Sequence, residues 1–160
     1  MKNNTAQKNI PQVIKKNNSW DKEKEIEKVF LKSNVERCRE LYDTDILFDG
    51  KRKNPFVQSV FIELLIRLRH IDHILNTNNN IKNIRDAAAH PYLHREIEGT
   101  GIFVDFCRNF KGNWKYENDI FEKQDDTCDV NFQFGDLEIS AKEISKLIEE
   151  FEEKIKMYEK

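Results

Sequence analysis

The chain has 160 residues, enough for one domain whose core needs no disulfide or metal staple. Hydrophobic residues make up 38% and charged residues 35%, which places it in the globular class rather than among disordered or membrane-spanning sequences. The formal net charge of −2 excludes a global basic field of the kind that announces nucleic-acid binding, although Leu47 to Lys115 carries eleven Lys+Arg against seven Asp+Glu. Cys38, Cys107 and Cys128 are odd in number, widely spaced and contain no CxxC, so neither a disulfide framework nor a zinc ribbon is expected. The opening Met1-Lys2-Asn3-Asn4 is followed by no apolar segment, and no apolar run reaches the length of a membrane span. A reducing cytoplasmic location without membrane attachment is therefore expected.

In chain order, residues 1–18 are polar, rich in Lys and Asn, and read as a flexible arm; residues 19–160 read as the folded domain. A first helix is expected from about Ser19, with Ile26, Val29, Phe30, Cys38, Leu41 and Tyr42 near one face and Ser33-Asn34 weakening its middle. After a polar connection containing Gly50, Asn54 can cap a second helix and Pro55 suits its first position. Val57, Val60, Phe61, Leu64, Leu65, Leu68, Ile71 and Leu75 then recur at helical spacing, and Asn76-Thr77-Asn78-Asn79-Asn80 ends the run as a loop. A third helix begins near Ile81 with Ile84 and Ala88 inward, and Pro91 should kink or end it.

Ile102, Phe103, Phe106, Cys107 and Phe110 have the spacing of a short helix closed near Gly112, with a polar stretch from Asn113 to Asp129 behind it. Val130, Phe132 and Phe134 alternate with polar residues; Gly135-Asp136 can turn the chain, and Leu137 and Ile139 alternate back, predicting a β-hairpin. Ser140 with Glu143 forms a capping box, followed by an amphipathic stripe of Ile144, Leu147, Ile148, Phe151, Ile155 and Tyr158. The expected fold class is all-α: a four- to five-helix bundle with a small β-hairpin before the last helix.

No GxxxxGK[ST], GxGxxG, serine elbow or HExxH occurs, which removes the commonest motif-bearing enzyme classes. What remains is Arg85-Asp86-Ala87-Ala88-Ala89-His90 at the start of the third helix. A histidine titrating near neutrality can serve as general acid or base, a role worth about 10²–10⁴-fold. An arginine fork matches the oxygens of a phosphorane-like transition state. Together they can cleave RNA without metal, through attack of the 2′-hydroxyl on the adjacent phosphate. Asp86 can orient Arg85 or His90, and the alanine spacer leaves room for close approach.

On these residues the sequence resembles the HEPN superfamily, helical bundles whose members often carry Arg-x4-His with a polar residue after the arginine. The resemblance maps the motif onto Arg85, Asp86 and His90, and Pro91 directly after His90 departs from it. It implies a metal-independent endoribonuclease in the manner of toxins or antiviral-defence effectors. RNA would be the substrate, no cofactor would be needed, and an antitoxin or nucleotidyltransferase is a possible partner. On a regular helix, positions i and i+5 lie roughly 140° apart, so one Arg85–His90 pair makes a poor site. Two motifs facing across a two-fold axis would make a composite cleft, so a homodimer is expected.

Plainer readings stand beside these. Arg85 can pair with Asp86 or Glu96, His90 can cap a helix end, and the chain can be a catalytically inactive module that binds RNA or a partner protein. His70 and His73, and His90 and His94, have spacings a metal could use, but surface positions explain them equally. Arg67 and Arg69 could lend charge to an RNA groove, with carboxylate pairing the better reading. For Phe132 and Phe134, core packing is a better reading than base stacking.

Overall fold

The computed structural model describes residues 12–89 and 106–158, with side chains described for residues 22–89 and 106–157. Helix α1 spans Gln12–Asp43, a 3-10 turn spans Ile46–Phe48, α2 spans Pro55–Leu75 and α3 spans Lys82–Ala89. Strands β1 (Phe106–Lys111), β2 (Trp114–Glu117), β3 (Ile120–Lys123), β4 (Asp129–Phe134) and β5 (Leu137–Ser140) follow, and α4 (Ala141–Tyr158) closes the chain.

This is an α+β fold, and it corrects the all-α expectation. The strands form an antiparallel three-stranded sheet in the order β1-β4-β5 and a separate β2-β3 hairpin. The expected β4-β5 hairpin is present, with Phe134 paired to Leu137 across the Gly135-Asp136 turn. The error lies upstream. Phe106 and Phe110 are four apart, a spacing that a helix and a strand both place on one face. Residues 106–111 are instead a strand in register with β4, where Phe106 faces Phe134 and Phe110 faces Val130. Ile102 and Phe103, which completed the helical pattern, lie outside the described residues. The supposed polar stretch contains β2 and β3, joined at Asn118-Asp119, both with left-handed φ (53° and 61°) as a tight hairpin turn requires.

The architecture is two-layered. Val130, Phe132 and Phe134 of β4 are buried toward the helices, while Asn131 and Gln133 point to the polar face of the sheet. Phe61 of α2 is the wedge between the layers: its ring stacks on Phe132 with centroids 4.5 Å apart and meets Phe106 at 5.6 Å. The sequence-predicted face of α2 is the buried one, and the Asn54 side chain caps it by accepting from the Phe56 N–H at 2.9 Å. In α4 the capping box forms as expected. Glu143 Oε1 accepts from the Ser140 N–H at 3.0 Å, and Ser140 Oγ accepts from the Glu143 N–H at 3.1 Å.

Helix α1 starts at Gln12, well before Ser19, and runs antiparallel to α2, since Phe30 meets His70, Asn34 meets Arg67 and Arg37 meets Glu63. Its buried face is Leu31, Val35, Cys38 and Leu41, together with Asn34. Asn34 does not interrupt the helix because its amide is satisfied across the seam. Arg67 Nη1 donates to Asn34 Oδ1 at 2.7 Å, and Asn34 Nδ2 donates to the Arg67 carbonyl at 3.3 Å. Arg67 Nε donates in turn to Glu63 at 2.8 Å. Ile26, Val29 and Phe30, expected on the apolar face, are instead exposed (69%, 65% and 40%). They form a strip at the end of the molecule where α2 terminates.

The Arg67 hydrogen bond, with Arg37 close by, holds the Glu63 carboxyl below its ordinary value of 4.5. A depressed carboxylate stabilises the fold above its unfolded pKa and loses that contribution as pH falls through the lower, folded value. Wild-type protein should therefore be more stable than Glu63→Gln near neutrality, and the gap should close in urea denaturation performed below about pH 4.

Candidate active site at the third helix

The loop that delivers α3 is built around one carboxylate. Asp72, near the end of α2, is 5% exposed. Its Oδ1 accepts from the Thr77 hydroxyl, from the Asn79 N–H at 3.0 Å and from Asn79 Nδ2 at 3.3 Å. Burying a carboxylate is costly unless it is hydrogen-bonded, and these donors meet that need. Asn76, Asn78 and Asn80 all adopt left-handed φ (53°, 53° and 56°), which asparagine tolerates better than other side-chain-bearing residues. Asn79 Nδ2 also donates to Glu150 Oε2 at 2.9 Å, fastening the loop to α4.

From this fixed loop α3 presents Ile84, Ala87 and Ala88 to the core. That leaves Arg85 and Asp86 on the half-buried flank. Arg85 Nη2 sits 3.0 Å from Asp86 Oδ1, and Lys82 Nζ sits 3.3 Å from Asp86 Oδ2. The Arg85–Asp86 pairing named by the plainer sequence reading is present. Arg85 is 27% exposed, yet its Nε–H is buried without a hydrogen-bond partner among the described residues. Arg69 on α2 is in the same condition: Nη1 lies 3.8 Å from Asp72 Oδ2 while Nε has no partner among the described residues. An unmade hydrogen bond at a buried donor costs about 1–3 kcal/mol, so two such guanidinium donors are a standing capacity to receive an acceptor.

His90 follows the last described residue of α3 in sequence and lies outside the described residues, as do Pro91 and His94. The structure thus brings Arg85 and Asp86 together and describes nothing of the third member. His70 and His73 are both exposed on α2, and among the described residues no group of three or more His, Cys, Asp or Glu converges on a metal position. Arg67 is committed to Asn34 and Glu63, and Phe132 and Phe134 are core residues. No described helix is long and apolar enough to cross a membrane.

No family model matches the sequence, and searches of curated proteins and of solved structures find no match. The site stands on its own geometry.

One further constellation was not assembled from the sequence: a groove between the start of α2, the strand β1 and the β2-β3 hairpin, lined by Arg52, Lys53, Arg108 and Lys111 together with aromatic rings. Its residues come from segments about 50 positions apart, joined only because β1 is a strand and not the helix its spacing imitated.

Replacing Asp72 by Ala leaves the Asn79 N–H without its acceptor and should destabilise the protein by about 1–3 kcal/mol in chemical denaturation. Amide hydrogen exchange should accelerate over residues 76–85 beyond what global destabilisation explains. A variant with wild-type stability and exchange would show that Asp72 does not organise the loop.

Proposed function

We propose that this chain is an RNA-cleaving protein of HEPN type, working without metal or cofactor through Arg85, Asp86 and His90, in a homodimer that places two copies of the motif face to face. The observation that carries the reading is Arg85 itself, a half-buried guanidinium paired with Asp86 whose Nε–H has no partner among the described residues. Such a fork suits a phosphate passing through a pentacoordinate transition state, where it gains acceptors it lacks at rest. His90 supplies the proton transfer: it takes the 2′-hydroxyl proton as that oxygen attacks phosphorus, or gives one to the departing 5′-oxygen.

The exposed strip Ile26, Val29 and Phe30 supports the dimer. It lies at the end of the molecule where α2 stops and the loop to α3 begins, and three large apolar side chains at i, i+3 and i+4 make a helix face suited to a symmetric partner. In this reading the protein is a cytoplasmic toxin or defence effector, restrained by an antitoxin or a nucleotidyltransferase.

The second reading, an inactive HEPN-like interaction module, has one observation in its favour: Asp86 already neutralises Arg85 at 3.0 Å. Kinetics separate the two. In EDTA, wild-type protein should cleave single-stranded RNA, with Arg85→Ala and His90→Ala each slowed by about 10²-fold or more. Ile26→Asp with Val29→Asp should convert the dimer to monomer in light scattering and lose cleavage with it. Full activity in both single variants, or no cleavage by a verified dimer, overturns the catalytic reading.

A further inference from the structure

The groove beside β1 has a chemistry of its own. It encloses about 850 Å³, with one wall formed by Arg52, Lys53 and the first turn of α2, and the other by β1 and the hairpin. Three features of its construction point to a ligand that is anionic, extended and ring-bearing.

The first is a concentration of positive charge. Arg108 stands opposite Phe132 in the sheet register, on the helix-facing side of β1, and is half-buried. Its guanidinium donates to the Asp49 carbonyl at 2.6 Å and to the Lys51 carbonyl and lies 4.8 Å over the Phe110 ring; burial pulls its pKa down, and the Asp49 carboxylate opposes that shift. Arg52, Lys53 and Lys111 form no ion pair among the described residues. The neighbouring carboxylates are engaged with neutral donors, Asp49 accepting from Asn54 Nδ2 at 2.6 Å and Asp119 from the Tyr116 hydroxyl at 2.9 Å.

The second is an aromatic floor. Phe110 and Phe121 stack with centroids 4.0 Å apart, Tyr116 continues the series 4.5 Å from Phe121, and Tyr116 is 48% exposed. Phe56, beside the groove residue Pro55, is 66% exposed. Rings left open to solvent next to unpaired cations are what successive bases and phosphates require of a single-strand platform.

The third is rigidity. The Phe121 N–H donates to the Gly50 carbonyl at 2.9 Å, and a Cβ on Gly50 would fall 1.7 Å from the Phe121 carbonyl oxygen. Only glycine permits this approach, which fixes the Lys51-Arg52-Lys53 segment against β3. The groove is thus held open by backbone contacts as well as by side chains.

We propose that this groove binds single-stranded nucleic acid, with Arg52, Lys53, Arg108 and Lys111 taking phosphates and Tyr116 stacking a base. The site is separate from Arg85 and does not rest on the cleavage reading. An acidic peptide would satisfy the cations but would have no use for the exposed rings, which is why the polynucleotide is favoured.

Fluorescence anisotropy with labelled oligo(U) and oligo(dT) of roughly ten nucleotides tests this on the full chain, using His90→Ala to suppress any cleavage. Binding tighter than roughly 10⁻⁴ M at physiological salt is expected, weakening steeply as salt rises. Arg52→Glu with Lys111→Glu should weaken it at least about tenfold, and Lys32→Glu on the distant face of α1 should leave it unchanged. Tyr116→Ala should weaken it about tenfold and Tyr116→Phe much less, which separates stacking from bulk charge. The proposal is overturned by absent binding, by equal loss in Lys32→Glu and the groove variants, or by a polyglutamate competitor as effective as oligo(U). Preference for RNA over DNA would link the groove to the substrate of Arg85, and equal binding would support a general single-strand site. Cleavage by a protein that binds no oligonucleotide in the groove sinks only the groove; groove binding by a protein that never cleaves sinks only the catalytic reading.

Discussion

The loop between α2 and α3, and with it the direction of α3, hangs on the buried carboxylate of Asp72. A charge at 5% exposure must be met by donors, and the chain supplies them by folding the next seven residues back over it: Thr77 through its hydroxyl, Asn79 through backbone and side-chain amide. That return requires left-handed backbone at alternate positions, and asparagines occupy Asn76, Asn78 and Asn80. The consequence is direction. α3 leaves the loop along a fixed line, with its alanines against the core and Arg85 on the flank, instead of continuing α2 as a longer helix.

A second coupling joins the helical layer to the sheet. Phe61 is fully buried and stacks on Phe132, with Phe106 and Phe134 close around it. Large side chains of this kind dominate core energetics, typically about 3–5 kcal/mol each on truncation to Ala. Phe106 belongs to β1 and Phe132 to β4, so the same wedge that seats α2 also holds β1, the strand that lines the basic groove, against its partner. Arg39 extends the frame to α4 by a bidentate contact with Glu152 at 2.9 and 3.2 Å. The two candidate sites therefore share one scaffold without sharing residues.

Helices α2 and α4 were legible in the sequence because each carries local signals that agree with its burial. Asn54-Pro55 opens α2, Ser140 with Glu143 opens α4, and the apolar positions of both recur at helical spacing over many turns. The β4-β5 hairpin was legible for the same reason, with strict alternation across a glycine turn. β1 was not, because Phe106 and Phe110 satisfy both periods and the deciding partner, β4, lies about 20 residues away. Asn34 was misjudged in the opposite sense: a polar residue in mid-helix looked like a weak point, but Arg67, 33 positions on, satisfies its amide. The Arg85–Asp86 pair could be foreseen from adjacency alone. The basic groove could not, since strand pairing assembles it from separated segments.

Arg85 is paired with Asp86 and carries a buried Nε–H with no partner among the described residues, and the proposed cleavage gives that donor a use. In the proposed transesterification the fork would receive negative charge as the 2′-oxygen adds to phosphorus, and no water molecule would enter the product. End-group analysis of RNA treated with the purified protein in EDTA reads this directly. The account predicts fragments with 2′,3′-cyclic phosphate and 5′-hydroxyl termini, formed by wild type and lost with His90→Ala. Intact RNA, or fragments with 5′-phosphate and 3′-hydroxyl termini, would contradict it.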